Sequence, residues 1–345
     1  MAAMDAYDRL PKVELHCHVE GTVRPSTVVE LARKAGRSLP TDDPTELYRY
    51  ASLNSFLDIF WLVQSLIADR EDWARVAYES LVDAVPHGLR YREVFFTPAR
   101  HLAAGQRLAD IVAGLTEGIE LAEARTGVRC RLVCDIDRAF GPDAGLELAE
   151  QLAELHRAGE AGAVIGLGMD STERGVDPRA FAAAFAVAAR AGLRLTSHAG
   201  EDSGADNIAA ALEALHISRI DHGLAIMDDP QLVARVAEAR IPLTVCPNSN
   251  ILIANRYASL ADHPFRRMRQ AGLLATLNTD DPAMTDLDLG KEYRSVAAAL
   301  GMSWDEVCAV ALDGVEATWL EDGEKRTLRA AFEAEIALIE PPAPS

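Results

Sequence analysis

Short apolar segments alternate with longer amphipathic segments through most of the chain. Eight of the short segments have the length and the apolar, partly β-branched composition of buried strands. The predicted strands are Val13–His18, Leu89–Phe96, Val128–Cys134, Ala163–Met169, Leu193–His198, Arg219–His222, Pro242–Cys246 and Leu273–Asn278.

Between these strands, alanine- and leucine-rich stretches have helical periodicity. The intervening helices are predicted near Leu108–Arg125, Asp143–Ala158, Pro178–Ala191, Asn207–Leu215, Pro230–Ala239 and Pro264–Ala271. Eight strand-then-helix repeats over 345 residues are typical of an α/β fold of the (β/α)8 TIM-barrel type. A doubly wound sheet is the alternative, but it would normally carry a glycine-rich phosphate turn after the first strand. This chain has His16-Cys17-His18 there instead.

Two helical regions lie outside that repeat. Helices are predicted at Ser26–Ala35, with Ser26 as a possible cap, and at Leu53–Ala68 and Asp72–Ala84. Because this interval, about 25–88, is too long for one crossover helix, we expect part of it to cover a pocket as a lid. About 289–338 should form two or three closing helices. We therefore expect one domain over 1–345.

Composition narrows the classes of partner. The net charge of −19 disfavours binding to nucleic acid, and no apolar run is long enough to cross a bilayer. The N-terminal residues do not resemble a signal peptide, and no Cys-x-x-Cys pair occurs, so we expect a cytoplasmic enzyme with a small-molecule substrate. Monomer and homo-oligomer both stay open. The cysteines are Cys17, Cys130, Cys134, Cys246 and Cys308.

Acid–base and ligand-type side chains follow the carboxyl ends of the predicted strands, where TIM barrels carry their catalytic groups. On the first strand, His16 and His18 face one way and Cys17 the other, because side chains alternate. The remaining histidines fall on helices or loops, where surface or capping roles are expected: His87, His101, His156, His216 and His263. The strand-end residues are His16, His18, Asp170, His198, Glu201, His222, Asp280 and Asp281.

Three imidazoles and a carboxylate suit a borderline-soft divalent cation such as Zn²⁺, with water completing the shell. Such a cation lowers the pKa of that water towards about 7, and Glu201 would then carry a proton to the substrate. His222 and one of Asp280 and Asp281 could orient the hydroxide. Ala199 and Gly200 let a ligand approach the backbone closely. Glu201 could instead be a solvated residue beside a core histidine, and Asp281 could be a helix cap.

Lysine is rare, and its positions limit the chemistry. None of the four lysines follows a middle strand, so neither a Schiff base nor a modified lysine bridging two metals is expected. The site should therefore hold a single metal ion.

Five segments taken together resemble the motifs of the adenosine/adenine deaminase family of metal-dependent hydrolases: PKVELHCHVEGTVRP, SHAGE, RIDHGL, VCPNSN and NTDDP. The resemblance implies a barrel with one zinc ion, whose hydroxide attacks C6 of a purine so that ammonia leaves. It implies metal ligands at His16, His18, His198 and Asp280, and Glu201 protonating ring N1. It also implies His222 as the base that positions the hydroxide, with Asp281 near N7.

The motif residues expected near the substrate match the branches of the family less consistently than the metal ligands do. Adenosine deaminases carry HLDG where this chain has HVEG, so Glu20 is more similar to the adenine-acting branch, or is a supporting acid behind the site. The run GLGMDSTE, with Ser171 and Glu173, and the run IDHG, with Asp221, also resemble that branch. Two other runs depart from it, HAGEDSGADN and NTDDPAMTD. Substrate contacts are predicted at Glu20, Asp170, Ser171, Gly200 and Asp281.

The predicted function is zinc-dependent deamination of a 6-aminopurine, with the free base or a modified purine favoured over adenosine. This is a hydrolase reaction on a C–N bond of a cyclic amidine, as in purine metabolism. Two alternatives remain: hydrolysis of a different cyclic amide, amidine or lactone, and a non-catalytic ligand-binding barrel. Whether zinc or iron is loaded also stays open.

Overall fold

A computed structural model describes residues 5–41, 43–50, 53–254 and 256–342. Its eight strands form one parallel sheet in chain order, and the first and last strands meet through a bridge between Cys17 and Asp280. The predicted TIM barrel is therefore confirmed. The strands are β1 Lys12–Glu14, β2 Leu89–Phe96, β3 Arg129–Asp137, β4 Val164–Asp170, β5 Arg194–Ala199, β6 Arg219–His222, β7 Leu243–Val245 and β8 Ala275–Leu277.

Helices surround the barrel, and none of the described helices is long and apolar enough to span a membrane. They are α1 Ala6–Arg9, α2 Pro25–Lys34, α3 Pro44–Leu47, α4 Leu53–Leu66, α5 Arg70–Ala84, α6 Ala99–Ala103, α7 Leu108–Thr126, α8 Gly141–Ala158, α9 Ala182–Arg190, α10 Ala205–Ala210, α11 Pro230–Glu238, α12 Pro247–Ser249, α13 Phe265–Gln270, α14 Leu289–Leu300, α15 Trp304–Ala317 and α16 Asp322–Ile336.

Several predicted boundaries were wrong, including those of β1, β3, β8 and α2. Strand β1 ends at Glu14 rather than His18. Beyond Glu14 the main chain makes only isolated contacts with the neighbouring segments: His18 N donates to Asp280 O, and Phe95 N donates to Cys17 O. Strand β3 continues three residues past Cys134, to Asp137. Helix α2 begins at Pro25, so Ser26 lies inside it and does not cap it.

The helical interval between β1 and β2 reaches over the carboxyl end of the barrel. There α4 packs against α6 and against a short 3₁₀ turn, Glu20–Thr22, which follows the first histidine pair. The described face of α4 that points inward is apolar, with Val63 and Leu66 buried. This contact brings a helix of the predicted lid beside Glu20, while its role as a lid stays a prediction.

Buried charges lie on both faces of the barrel strands, because Arg92 and Glu93 are consecutive on β2 and their side chains point to opposite faces. Arg92 pairs with Glu14 at 2.5 Å, and Arg219 pairs with Glu93. All four side chains are almost fully buried, so each charge depends on its partner for the solvation that water would otherwise provide. Apolar side chains between the sheet and the outer helices form the main core.

Candidate active site

The four predicted metal ligands meet at the carboxyl end of the barrel. Ligand atoms of His16, His18 and His198 lie within 4.8 Å of one another. Oδ1 of Asp280 lies 3.4 Å from Nε2 of His16 and 3.4 Å from Nε2 of His18. Side chains that are up to 264 positions apart in the chain therefore converge on one point, as the barrel topology predicts.

Local structure explains this convergence. The segment after β1 carries His16 and His18 on one face, with Cys17 on the other face in the core, as predicted. Asp280 follows β8 in the left-handed region, at φ 66°, a conformation that non-glycine residues adopt mainly at strained functional positions. Ser249 Oγ donates a hydrogen bond of 2.5 Å to Oδ2 of Asp280, which fixes that carboxylate.

The protonation states fit a divalent cation. Burial lowers the pKa of His18 to about 3 and that of His198 well below its ordinary value, so both imidazoles are neutral and can act as ligands. Burial alone would raise the pKa of Asp280, but the nearby imidazoles of the cluster lower it. His16 Nε2 is buried and has no hydrogen-bond partner in the described part of the chain. Neutral imidazoles and one carboxylate form a donor set that Zn²⁺ accepts.

Cys246 was not among the predicted site residues, although a ligand atom from it lies within 4.8 Å of those of His16, His222 and Asp280. Burial raises the pKa of its thiol well above the ordinary value, and Sγ donates to Thr244 O at 3.8 Å. A protonated thiol is a poor metal ligand, since the thiolate is the binding form. We therefore assign Cys246 to the wall of the site.

Glu201 lies beside this cluster, on the turn that follows β5. Its Oε2 is 3.5 Å from Nε2 of His222, and its Oε1 accepts from Asn250 Nδ2 at 3.4 Å. The side chain is 21% exposed, so it faces the opening of the pocket. Burial raises the pKa of Glu201 to about 7, which allows this carboxyl group to give and take a proton near neutral pH. The alternative of a merely solvated glutamate does not fit these contacts.

His222 ends β6 at φ 61°, a second strained residue in the site. Burial opposes its charged form, but the carboxylates of Glu201 and Asp280 outweigh that effect and raise the pKa of His222. Asn250 Nδ2 lies 3.0 Å from Nδ1 of His222, and Asn250 Oδ1 lies 3.4 Å from Nε2 of His263. Asn250 therefore joins His222 to Glu201, a role that the sequence analysis missed.

Glu173 shapes the turn that carries Glu201. Its two carboxylate oxygens accept hydrogen bonds from the backbone amides of Gly200, at 2.6 Å, and of Glu201, at 2.8 Å. Ser203 Oγ donates to the same carboxylate. Gly200 adopts φ 77°, which favours glycine, as the predicted sharp turn requires. Its carbonyl accepts from Ala225 N, so both polar backbone groups of Gly200 are occupied and a substrate would contact it only through van der Waals interactions.

Four further carboxyl groups lie at the same end of the barrel, and each has at least one buried oxygen without a hydrogen-bond partner within the described residues. They belong to Glu20, Asp135, Asp170 and Asp281. Thr97 contacts two of them: its amide donates to Glu20 at 2.9 Å and its hydroxyl donates to Asp170 at 2.5 Å. Burial raises the pKa of Glu20 to about 7 and that of Asp170 to about 8.

Two of these carboxyl groups were interpreted differently from the sequence. Asp135 was missed because β3 was predicted to end before it, although ligand atoms of Asp135, Asp170 and His18 lie within 4.8 Å of one another. Asp281 does not cap a helix: Asp288 accepts from Lys291 N at the start of α14, whereas Oδ1 of Asp281 is unpaired and buried. Gly21 makes room for Asp281, because a Cβ at position 21 would lie 1.9 Å from Oδ1 of Asp281.

The remaining predictions fall at the edge of the site or outside it. Ser171 is exposed and adopts φ 73°, next to Asp170 at the end of β4. His101 and His263 were expected to be surface or capping residues, but both are buried, so a surface position was wrong for them. A tryptophan ring on α5 packs against His101, whereas Nδ1 of His263 accepts from Phe265 N at the first residue of α13, which is a capping contact.

Comparisons with known proteins agree with this geometry. The family model described as adenosine deaminase matches residues 11–334. The chain is 37% identical to an adenine deaminase of Streptomyces coelicolor over 98% of both chains. It is 38% identical to an aminodeoxyfutalosine deaminase of Acidothermus cellulolyticus, over 86% of this chain and 84% of the relative. The crystal structure of a Burkholderia ambifaria amidohydrolase with bound Zn superposes with a TM-score of 0.89 at 31% identity, covering 97% of this chain and 92% of that one.

Proposed function

The chain belongs to the adenosine deaminase family, and on that premise we propose that it hydrolytically deaminates a 6-aminopurine, with free adenine as the first candidate substrate. The observation that carries the proposal is the position of Glu201. Its carboxyl group, with a pKa of about 7, opens onto the pocket next to four metal-ligand side chains. In the reaction the amino group leaves C6 as ammonia, and the oxygen of a water molecule replaces it.

We assign His16, His18, His198 and Asp280 as the ligands of one zinc ion per chain. The donor set, the neutral imidazoles and the zinc found in the related amidohydrolase support this assignment. When bound, the cation would lower the pKa of a water molecule and so supply the nucleophile at neutral pH.

The chain's own residues then move and hold protons. Glu201 in its protonated form donates to ring nitrogen N1, which draws electrons away from C6 and favours the addition of water there. His222, 3.5 Å from Glu201, accepts a proton from the attacking water. Asp281, next to Asp280 in the chain, has a buried unpaired oxygen and in its protonated form can donate to ring N7.

A purine with a larger substituent on its five-membered ring is the second candidate. Next to the carboxyl ends of β2 and β3, the guanidinium of Arg100 lies 4.9 Å from the ring of Trp61 and 5.8 Å from the ring of Phe140. Both rings are about 40% exposed. This cation–aromatic surface offers a contact for a substituent that free adenine lacks, and one relative is named aminodeoxyfutalosine deaminase.

One assay series tests the proposal. The zinc-loaded protein is mixed with adenine, adenosine and 9-substituted 6-aminopurines, and ammonia release and product mass are measured. We expect exchange of NH₂ for oxygen on at least one of them, loss of activity with a chelator and recovery with Zn²⁺. Products formed by ring opening would favour the alternative amidohydrolase. Zinc binding without turnover of any compound would favour the non-catalytic barrel.

A further inference from the structure

A buried chain of hydrogen bonds runs from the back of His16 into the barrel. Nδ1 of His16 lies 3.0 Å from Oγ1 of Thr244, and that hydroxyl donates to Oδ1 of Asp221 at 2.8 Å. Thr196 Oγ1 donates to Oδ2 of the same carboxylate at 2.6 Å. All four side chains have exposures of 0%.

The register of the sheet creates this chain. Asp221 on β6 pairs with Thr244 on β7, and Thr196 on β5 pairs with Arg219, two residues before Asp221. Because side chains on neighbouring parallel strands share a face at paired positions, the three residues point into the same layer of the barrel. His16 enters that layer from across the barrel, after β1.

The direction of the protons follows from this geometry. A carboxylate can only accept hydrogen bonds, so the single proton of the Thr244 hydroxyl is used toward Asp221. The hydroxyl oxygen must then accept from His16, which places the imidazole proton on Nδ1. The other nitrogen, Nε2, is left as a free lone pair, and it is the atom that lies 3.4 Å from Asp280 in the metal cluster.

The charge of Asp221 is balanced deeper in the barrel. Nε of Arg219 lies 3.9 Å from its Oδ1, and the guanidinium stacks 3.8 Å from the ring centre of Trp319. Arg219 also pairs with Glu93, which accepts from Tyr91 OH and from Trp319 N. The guanidinium of Arg219 therefore lies beside a carboxylate whose two oxygens already accept hydrogen bonds from Thr244 and Thr196.

From this arrangement we infer that Thr244 and Asp221 are positioning residues for metal binding, which hold His16 in its Nδ1–H tautomer with Nε2 aimed at the cation. The inference rests on the metal site in the proposed function. Hydrogen bonds from a metal-ligating histidine to such partners orient the ring and raise its basicity, and their loss usually weakens metal affinity about 10- to 100-fold.

The test measures zinc affinity, by competition with a chromophoric chelator, in the full chain. Thr244→Val keeps the size of the side chain and removes the hydroxyl, whereas Thr244→Ser keeps the hydroxyl. Thr276→Val is the matched control, because Thr276 is a buried threonine on β8 whose hydroxyl contacts Leu243 O and Asn278 Nδ2 but not His16. Thermal unfolding of the metal-free variants shows whether each is folded.

We expect Thr244→Val to bind zinc about 10- to 100-fold more weakly than wild type, with Thr244→Ser and Thr276→Val close to wild type. Equal affinity of Thr244→Val and wild type would overturn the inference. A Thr244→Ser variant as weak as Thr244→Val would also overturn it, because packing and not the hydroxyl would then be responsible. If wild type itself bound no zinc, the proposed function would be wrong. This result differs from wild-type zinc affinity in Thr244→Val, which would overturn only the positioning role.

Discussion

The carboxylate of Glu173 accepts a 2.8 Å hydrogen bond from the backbone amide of Glu201. Glu173 is buried and does not face the pocket, whereas the side chain of Glu201 does. A residue at the end of β4 therefore sets the direction of the residue that we assign to proton transfer after β5.

Glu173→Gln tests this dependence. The NH₂ group of the new glutamine would face backbone N–H groups or the Ser203 hydroxyl. Two hydrogen-bond donors would then oppose each other, and the turn would shift. A shift near 1 Å can cost about 100-fold in rate, and we expect kcat/KM on the active substrate to fall by about that much while the zinc content is unchanged. Glu154→Gln, an exposed change on α8, should leave kcat/KM unaltered. Unchanged activity of Glu173→Gln would contradict this role.

Glu201→Gln removes the proposed proton donor and keeps the shape of the side chain. We expect turnover to fall about 10²- to 10⁴-fold, the usual contribution of general acid–base catalysis. Zinc content should stay at the wild-type level, because Glu201 is outside the proposed ligand set. Steady-state kinetics and elemental analysis on the same preparation check both statements. A variant with an intact rate would remove Glu201 from the mechanism.

The pKa of about 7 for Glu201 also predicts how activity depends on pH. The value is raised above the ordinary carboxyl range, so the protonated donor is abundant below pH 7 and is depleted as pH rises above it. We expect kcat/KM to decrease with increasing pH on the alkaline side of about 7. The residual rate of Glu201→Gln should lack this decrease. A wild-type profile that rises steadily through this range would show that the protonated form is not required.

Which side chains come together could be predicted from sequence where strand ends carry the signal. Histidine and aspartate are conspicuous after an apolar segment, and the barrel topology brings all such ends to one face, so His198 and Asp280 could be placed together without coordinates. Strand ends are also where the predictions failed. Pairing beyond β1 and in β3 depends on neighbouring strands, and no local pattern shows where it stops.

The supporting residues were harder to identify. Thr244 lies in an ordinary apolar strand, and only its register with Asp221 and the approach of His16 give it a function. Asn250 occurs in a quoted motif, but its link between His222 and Glu201 depends on a loop conformation that spacing does not reveal. Such contacts are tertiary, so a single sequence predicts the ligands better than the groups that orient them.

The carboxyl groups of Glu20 and Asp170, whose pKa values lie near neutral pH, predict selection against nucleotides. A 5′-phosphate carries about two negative charges at neutral pH, and contact with buried like charges costs several kcal/mol. We therefore expect kcat/KM for AMP to be at least about 100-fold below that for adenosine. Since the pKa values of Glu20 and Asp170 are raised to about 7 and about 8, the ratio should widen as pH increases through this range. Equal use of AMP and adenosine would contradict the prediction.

The buried pair of Arg219 and Glu93 predicts a large effect on stability. Arg219→Met would keep much of the packing on Trp319 but leave Glu93 with an uncompensated charge at 0% exposure. Loss of one partner of a buried pair typically costs about 3–5 kcal/mol, so we expect a clear decrease in the urea midpoint of the metal-free protein. Arg190→Met, an exposed change on α9, is the control and should shift the midpoint little. If both variants unfolded at the same urea concentration as wild type, the pair of Arg219 and Glu93 would contribute no net stability. Its remaining role would then be to position Asp221.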